Sequence, residues 1–401
     1  MNRKYITTLI LLLVLVSVAA YLYYDRDEED DRILDPAHWK DSYPDIYSSY
    51  ARNADIGDVQ FGGEQQIDYI KKYPNIKILY DGYGFSKEYF STQGHIHTLD
   101  DVMEIGRPKG GASCLACKTA EYEELYEELG DDLYSMDFDE TAASLDYPVT
   151  CYSCHENEPG EIHIKVPHAI AGFEKLDFEV EAGIEGCAQC HVEYYVDPDD
   201  KAIIFPWDDG ITAEDYIDYY DRIEHSDWTH PETGTGLIKI QHPEFEMYNG
   251  SLHDDLGLSC ADCHMPTLTN QEGEEFVSHW MTSPLKTPEE SCFQCHSYNF
   301  DNGDELVAWV NSKQQEIEDK EAETSDLLVR FVEEFTAKLS EDKLDDETIE
   351  ELRSLHRNAQ IYWDFIFAEN STGSHNFQRA EEYLEKSQEL AKEALDILEE
   401  Y

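Results

Sequence analysis

Toward its C-terminus the chain settles into a regular alternation of apolar and polar positions. Leu327, Leu328, Phe331, Val332, Phe335 and Leu339 recur at spacings of three and four, which puts them on one face of an α-helix, with Ser325 and Asp326 where a cap would stand. The same spacing predicts a second helix over 346–367, with Ile349, Leu352, Leu355, Ile361 and Phe365 on one side. A third is predicted over 376–400, carrying Phe377, Ala380, Leu384, Leu390, Ala394 and Leu398. Residues 304–401 thus read as a C-terminal helical region whose apolar seams serve either packing within the chain or contact with another subunit.

Upstream this rhythm breaks up. Residues 33–108 are rich in Tyr, Gly and Pro without sustained periodicity, which predicts loops and short helices. Between 109 and 300, short helices are expected at 121–129 and 213–223 and no alternating strands are evident. The expected class is therefore mainly α, with extensive loops and long C-terminal helices. Residues 1–24 form an apolar run behind Arg3 and Lys4, long enough to span a bilayer; they read as a retained N-terminal membrane anchor or, with Ser17-Val18-Ala19 as the cleavage site, a signal peptide. Either way the rest of the chain is exported.

Charge narrows the partners. The 401 residues hold 29 Lys plus Arg against 88 Asp plus Glu, a formal net charge of −59. That excludes nucleic acid and anionic membrane surfaces as partners. The carboxylates are spread along the whole chain and read as a solvated surface suited to high salt.

The cysteines change the picture most. All ten fall in CxxC pairs: Cys114/Cys117, Cys151/Cys154, Cys187/Cys190, Cys260/Cys263 and Cys292/Cys295. Four pairs are followed at once by a histidine: His155, His191, His264 and His296. Zinc sites and redox dithiols do not require that histidine, whereas haem c does, because two thioethers fix the macrocycle and the adjacent imidazole ligates its iron. Five covalently bound haem c groups are expected in a catalytic region spanning 25–303, and there the cofactors supply much of the apolar core. The first motif departs from the others: Lys118 stands where histidine would. A neutral lysine amine is a different donor, so this iron is expected to be the exception among relays that carry a ligand on both faces. The sequence has 16 histidines, four of them taken by the motifs, which leaves enough for distal ligands. His95 and His97 read either as such ligands or as surface residues. Glu193 and Tyr194 follow the third motif directly, and with Lys239-Ile240-Gln241-His242 they offer a carboxylate, an amide oxygen and backbone carbonyls, hard donors suited to calcium.

One CxxCK and four CxxCH motifs in this order resemble the ammonia-forming pentahaem cytochrome c nitrite reductases, over most of the chain from about Tyr80 to Tyr401. The resemblance implies a multihaem cytochrome c fold and six-electron reduction of nitrite to ammonium at the Lys118 haem. It implies a distal pocket in which Arg107, Tyr194 and a protonated His242 meet the substrate. It also implies a calcium ion held by the Glu193 and Gln241 side chains and the Tyr194 and Lys239 carbonyls. His279, His95, His375 and His253 become the distal ligands of the second, third, fourth and fifth haems, while His97, His163, His168, His225, His230 and His356 have no counterpart. A homodimer joined through the C-terminal helices, a membrane multihaem quinol dehydrogenase as electron donor, and a place at the extracytoplasmic face of the cytoplasmic membrane or in the periplasm complete what the family implies. From the residues alone two rivals stay open: a multihaem reductase of hydroxylamine or sulfur oxyanions, and a pure electron-transfer protein.

Overall fold

The computed structural model describes residues 32–57, 61, 65–157 and 160–401. The stretch 1–24, expected to be an anchor or signal peptide, lies outside the described residues, and among those described no helix is long and apolar enough to cross a membrane.

The haem-motif stretch is built of short pieces. Its helices include α1 (Thr98–Glu104), α2 (Tyr122–Leu129), α3 (Ala182–Ala188), α4 (Ala213–Arg222), α5 (Glu244–Tyr248) and α6 (Cys260–His264). Helix α4 shows why such pieces form: Thr212 and Asp215 make a reciprocal capping box, and Ala213, Tyr216, Tyr219 and Tyr220 bury one face. Three antiparallel ladders, too short to read as alternation, join β1 (Tyr195–Val196) to β2 (Ile203–Ile204), β3 (Trp228–Thr229) to β4 (Gly236–Leu237), and β5 (Thr267–Thr269) to β6 (Glu275–Val277).

Three long helices follow: α7 (Gly303–Ser340), α8 (Asp346–Ala368) and α9 (Phe377–Glu399). Asp345 caps α8 by accepting from Thr348 N, and Asn376 caps α9 by accepting from Arg379 N. Helix α7 corrects an expectation. It runs unbroken for 38 residues from its cap at Asn302, so Ser325 and Asp326 lie inside it rather than at its start. The buried stripe of Ile317, Glu321, Leu328 and Phe331 carries straight through them. Ser325 Oγ donates back to Ala322 O at 2.9 Å, and Asn75 Nδ2 donates to Ser325 Oγ and Asp326 Oδ1 at 3.0 and 2.7 Å. A serine's local bonding thus serves an interior position as readily as a cap.

Helix α8 is the most enclosed element. Every residue from Ala359 to Glu369 is buried, because α7 and α9 cover one side and α4 and β4 the other. A smaller core joins Phe331, Phe335, Leu352, Leu395 and Leu398. The main core runs from Ile76 through Trp207 and Ile240 to Trp363 and Leu384, so 25–303 and 304–401 share one interior.

Candidate active site

None of the ten cysteines is paired in a disulfide, and contacts between motifs order them in space. Cys117 lies within hydrogen-bonding reach of Cys190, Cys187 within reach of Cys260, Cys154 beside Cys187, and Cys263 beside Cys292. The third motif, carried by α3, therefore touches the first, second and fourth, and the fourth touches the fifth.

Each motif histidine faces a second imidazole from elsewhere in the chain. Ring centroids are 6.1 Å apart for His155 and His279, and 6.2 Å apart for His191 and His95, His264 and His375, and His296 and His253. Two imidazoles sharing one metal at about 2 Å from each nitrogen have centres about 6 Å apart, so the spacing fits an iron between them. The second nitrogens support this. Nδ1 of His155, His264 and His279 lies 2.9, 2.8 and 3.0 Å from the carbonyls of Glu161, Thr282 and Val277. A carbonyl only accepts, so Nδ1 carries the proton and Nε2 keeps its lone pair for a metal. Nδ1 of His191 lies 3.9 Å from Glu244 and Nδ1 of His375 pairs with Glu369. Burial also holds His95 and His264 down to about 4, in the neutral form a metal requires.

The remaining histidines are engaged otherwise. His230 and His356 are enclosed in the core, bonding Ile78 O at 2.9 Å and Thr235 Oγ1 at 3.0 Å. His163 pairs with Glu156, His225 with Asp227, His168 packs its edge on Phe205, and His97 Nε2 reaches Ala54 O. One close approach organises two of the facing imidazoles, His95 and His279. A Cβ on Gly94 would lie 2.2 Å from Asn53 O, so glycine alone lets the His95 turn sit there, while Asn53 Nδ2 donates to His279 O at 2.8 Å.

The first motif is surrounded differently. Its backbone is pinned where the Thr98 hydroxyl, at the start of α1, lies 2.9 Å from Lys118 O and 3.0 Å from His95 O. Arg107 lays its guanidinium over Phe85, 4.1 Å from the ring centre, and its backbone N donates to Glu88 Oε2 at 3.0 Å. Burial first, and then Cys114 and Cys117 nearby, push the Tyr194 phenol well above its usual range, so it keeps its proton; Arg107 lies near it, its own pKa lowered by burial. Burial holds His242 down to about 4, with Lys118 and His191 pushing the same way against Glu244. Lys118 thus lies near His242, and Arg107 near Tyr194; burial favours the neutral ring of His242, and Glu244 favours its protonated form.

Behind this pocket lies an oxygen-rich pouch. Glu193 is fully buried; its Oε1 accepts from Tyr220 OH at 2.9 Å and its Oε2 from Gln241 N at 2.5 Å. Burial, reinforced by the carboxylates of Asp227 and Glu246, pushes its carboxyl well above the usual range. Gln241 Nε2 donates to Lys239 O at 2.9 Å, and the Lys239 amine turns away to Asp364 at 3.0 Å. A buried carboxylate with acidic neighbours, an amide and backbone carbonyls suits a hard divalent cation, so the residues fit calcium. Sequence reasoning missed Glu244, Glu369, Asp227 and Asp364. Only the nearness of Glu244 to His242 left any trace in the order of residues.

A mainly helical chain with five CxxC motifs and four facing imidazole pairs is a multihaem c-type cytochrome. Residues 35–400 match the family model described as cytochrome c552, and the chain belongs to that family. It is 31% identical over 374 residues to cytochrome c-552 of Bacteroides thetaiotaomicron, covering 89% of this chain and 75% of that protein. It is 31% identical over 421 residues to the cytochrome c nitrite reductase subunit NrfA of Nitratidesulfovibrio vulgaris, covering 90% and 77%. Its fold superposes with a TM-score of 0.83 on the cytochrome c nitrite reductase of Desulfovibrio desulfuricans, whose catalytic subunit has two calcium sites, at 28% identity over 92% of this chain and 86% of that one. The expected multihaem cytochrome c fold stands.

Proposed function

We propose that this chain reduces nitrite to ammonium, taking six electrons, with five covalently bound haems c and one calcium ion. The observation that carries this reading is the contrast among the motifs. Every CxxCH histidine faces another imidazole, whereas the Lys118 motif is attended by Arg107, Tyr194 and His242. Cys114, Cys117 and the Lys118 amine would hold haem c, which would supply redox chemistry at its iron.

The chain's own residues do the rest. Arg107 keeps its charge and offers a donor fork to the oxygens of an anion, and Phe85 beneath holds the guanidinium flat. Such a local cation is needed for nitrite to enter a chain of charge −59. Burial favours the neutral ring of His242 and an anion beside it favours the imidazolium, so His242 can carry a proton to an N–O oxygen. Tyr194 keeps its phenolic proton and donates a hydrogen bond. Glu193, Gln241 and the carbonyls of Tyr194 and Lys239 would hold calcium, which would tie the segment of Tyr194 to the segment just ahead of His242. Motif contacts running from fifth to fourth to third to first, with the second branching onto the third, give the relays a continuous line to Lys118.

The same reading takes a membrane multihaem quinol dehydrogenase as donor, a homodimer through α7 to α9, and an extracytoplasmic location anchored or directed by residues 1–24. The test is oxidation of reduced methyl viologen with nitrite, counting ammonium against electrons. Six electrons per ammonium is expected. Lys118→Ala should lower kcat/KM on the order of a hundredfold or more with all haems attached; full turnover by that variant, or a preference for hydroxylamine or sulfite over nitrite, overturns the reading.

A further inference from the structure

Arg107 and His242 come from segments far apart in sequence; one buried carboxylate bonds the segment ahead of His242 directly and approaches Arg107 through Lys239 and the Phe85 ring. Asp364, on α8, is completely enclosed. Its Oδ2 accepts from Ile240 N at 2.9 Å, directly ahead of Gln241 and His242. Its Oδ1 accepts from the Lys239 amine at 3.0 Å and from Tyr80 OH. The Lys239 amine in turn sits among three rings, 5.2 Å from the centre of Tyr80, 5.5 Å from Phe85 and 5.7 Å from Tyr89. Phe85 is the ring on which Arg107 lies. One arm from Asp364 therefore ends at His242 and the other at Arg107.

Stability alone does not call for this arrangement. Burying a lysine and an aspartate costs desolvation that their attraction barely offsets, and an apolar pair of the same volume serves packing as well. What a carboxylate adds is direction: three donors from two segments, Lys239-Ile240 and Tyr80, converge on two oxygens and are held at set distances from α8.

We propose that Asp364 is a positioning residue that sets the spacing between Arg107 and His242 across the Lys118 pocket. It touches neither substrate nor cofactor. Its effect runs through the Ile240 backbone on one side and through Lys239 and Phe85 on the other, so the C-terminal helices take part in the chemistry they do not contact. The proposal rests on the reading of that pocket as the nitrite site.

The test compares the haem-loaded wild type with two variants. Lys239→Met with Asp364→Leu removes both charges together and leaves no unpaired ion; Asp364→Asn keeps an acceptor for Ile240 N. Haem content and Tm report folding. The readouts are kcat and KM for nitrite, the affinity for azide, and the electron paramagnetic resonance signal of the Lys118 haem against those of the four imidazole-pair haems. In the paired variant kcat is expected to fall on the order of 10–100-fold, the size of effect a displacement of about 1 Å produces. Azide affinity falls and the Lys118 signal shifts while the other signals stay; Asp364→Asn lies between it and the wild type. A fully haem-loaded paired variant with wild-type kcat, azide affinity and Lys118 signal overturns the proposal. If that variant fails to load haem, wild-type values in Asp364→Asn overturn it equally. A wild type that makes no ammonium refutes the nitrite reading, whereas azide affinity and the haem signal still decide the role of Asp364.

Discussion

Two regions of this molecule are held together by different means. Between Tyr248 and Leu306 the one buried hydrophobic side chain is Leu285, and Leu252, Leu256 and Tyr298 are largely exposed. From Ala359 to Glu369 every residue is buried. The first stretch carries the fourth and fifth motifs and is organised by local devices: the Ser259–Asp262 capping box on α6, the β5–β6 ladder, and the pairs His264 with His375 and His296 with His253. The second is organised by removal of apolar surface, at about 25 cal/mol per Å². A segment that buries so little of its own cannot offset the entropy of ordering its backbone, so its order depends on ligation, as in small metal-dependent domains.

The strongest way to break this contrast is to remove one attachment. Replacing Cys292 and Cys295 with serine should abolish one haem and strip hydrogen-exchange protection from residues 250–300 while α7 to α9 keep theirs. Equal loss in α8 would show that the two regions are not independent in this sense. The converse change, Phe335→Ala in the helical core, should cost about 3–5 kcal/mol in urea denaturation yet leave the haem spectra without denaturant unchanged.

A smaller effect separates the regions by pH. Burial, with the His230 charge adding, holds His356 down to about 3 from its ordinary 6.5. The folded state favours the neutral ring and the unfolded state takes the proton first, so this contribution is fully present above pH 6.5 and declines as pH falls toward 3. His356→Leu should flatten the dependence of Tm on pH across that window; an unchanged slope would remove His356 as its source. Smallest of all, Asn376→Ala deletes the side-chain acceptor for Arg379 N and should lower stability by about 1 kcal/mol, read as a shift in denaturation midpoint.

Much of the site was legible because its information is local. A CxxCH motif brings two thiols and an imidazole within one turn, so spacing alone implied haem attachment. Helices α8 and α9 begin within a residue of their predicted starts because Asp345 and Asn376 cap them in place. Helix α7 was misread at Ser325 because a hydroxyl bonds its own backbone equally well at a cap or in mid-helix, and only Asn75, 250 residues away, shows which. Glu244 and Glu369 as partners of haem-facing imidazoles, and Asp227 beside Glu193, depend on contacts no periodicity encodes.

The lysine motif shows where that boundary runs. Sequence by itself determined that one CxxC motif differs from four others, since Lys118 in place of a histidine is a chemical fact independent of folding. Only the tertiary structure shows that burial presses His242 toward its neutral form while Glu244 opposes it, because an imidazole's proton depends on the burial and charges around it. It alone decided that a carboxylate on α8 holds the backbone two residues ahead of His242, because hydrogen bonds between residues more than a hundred positions apart exist only after the chain has closed on itself.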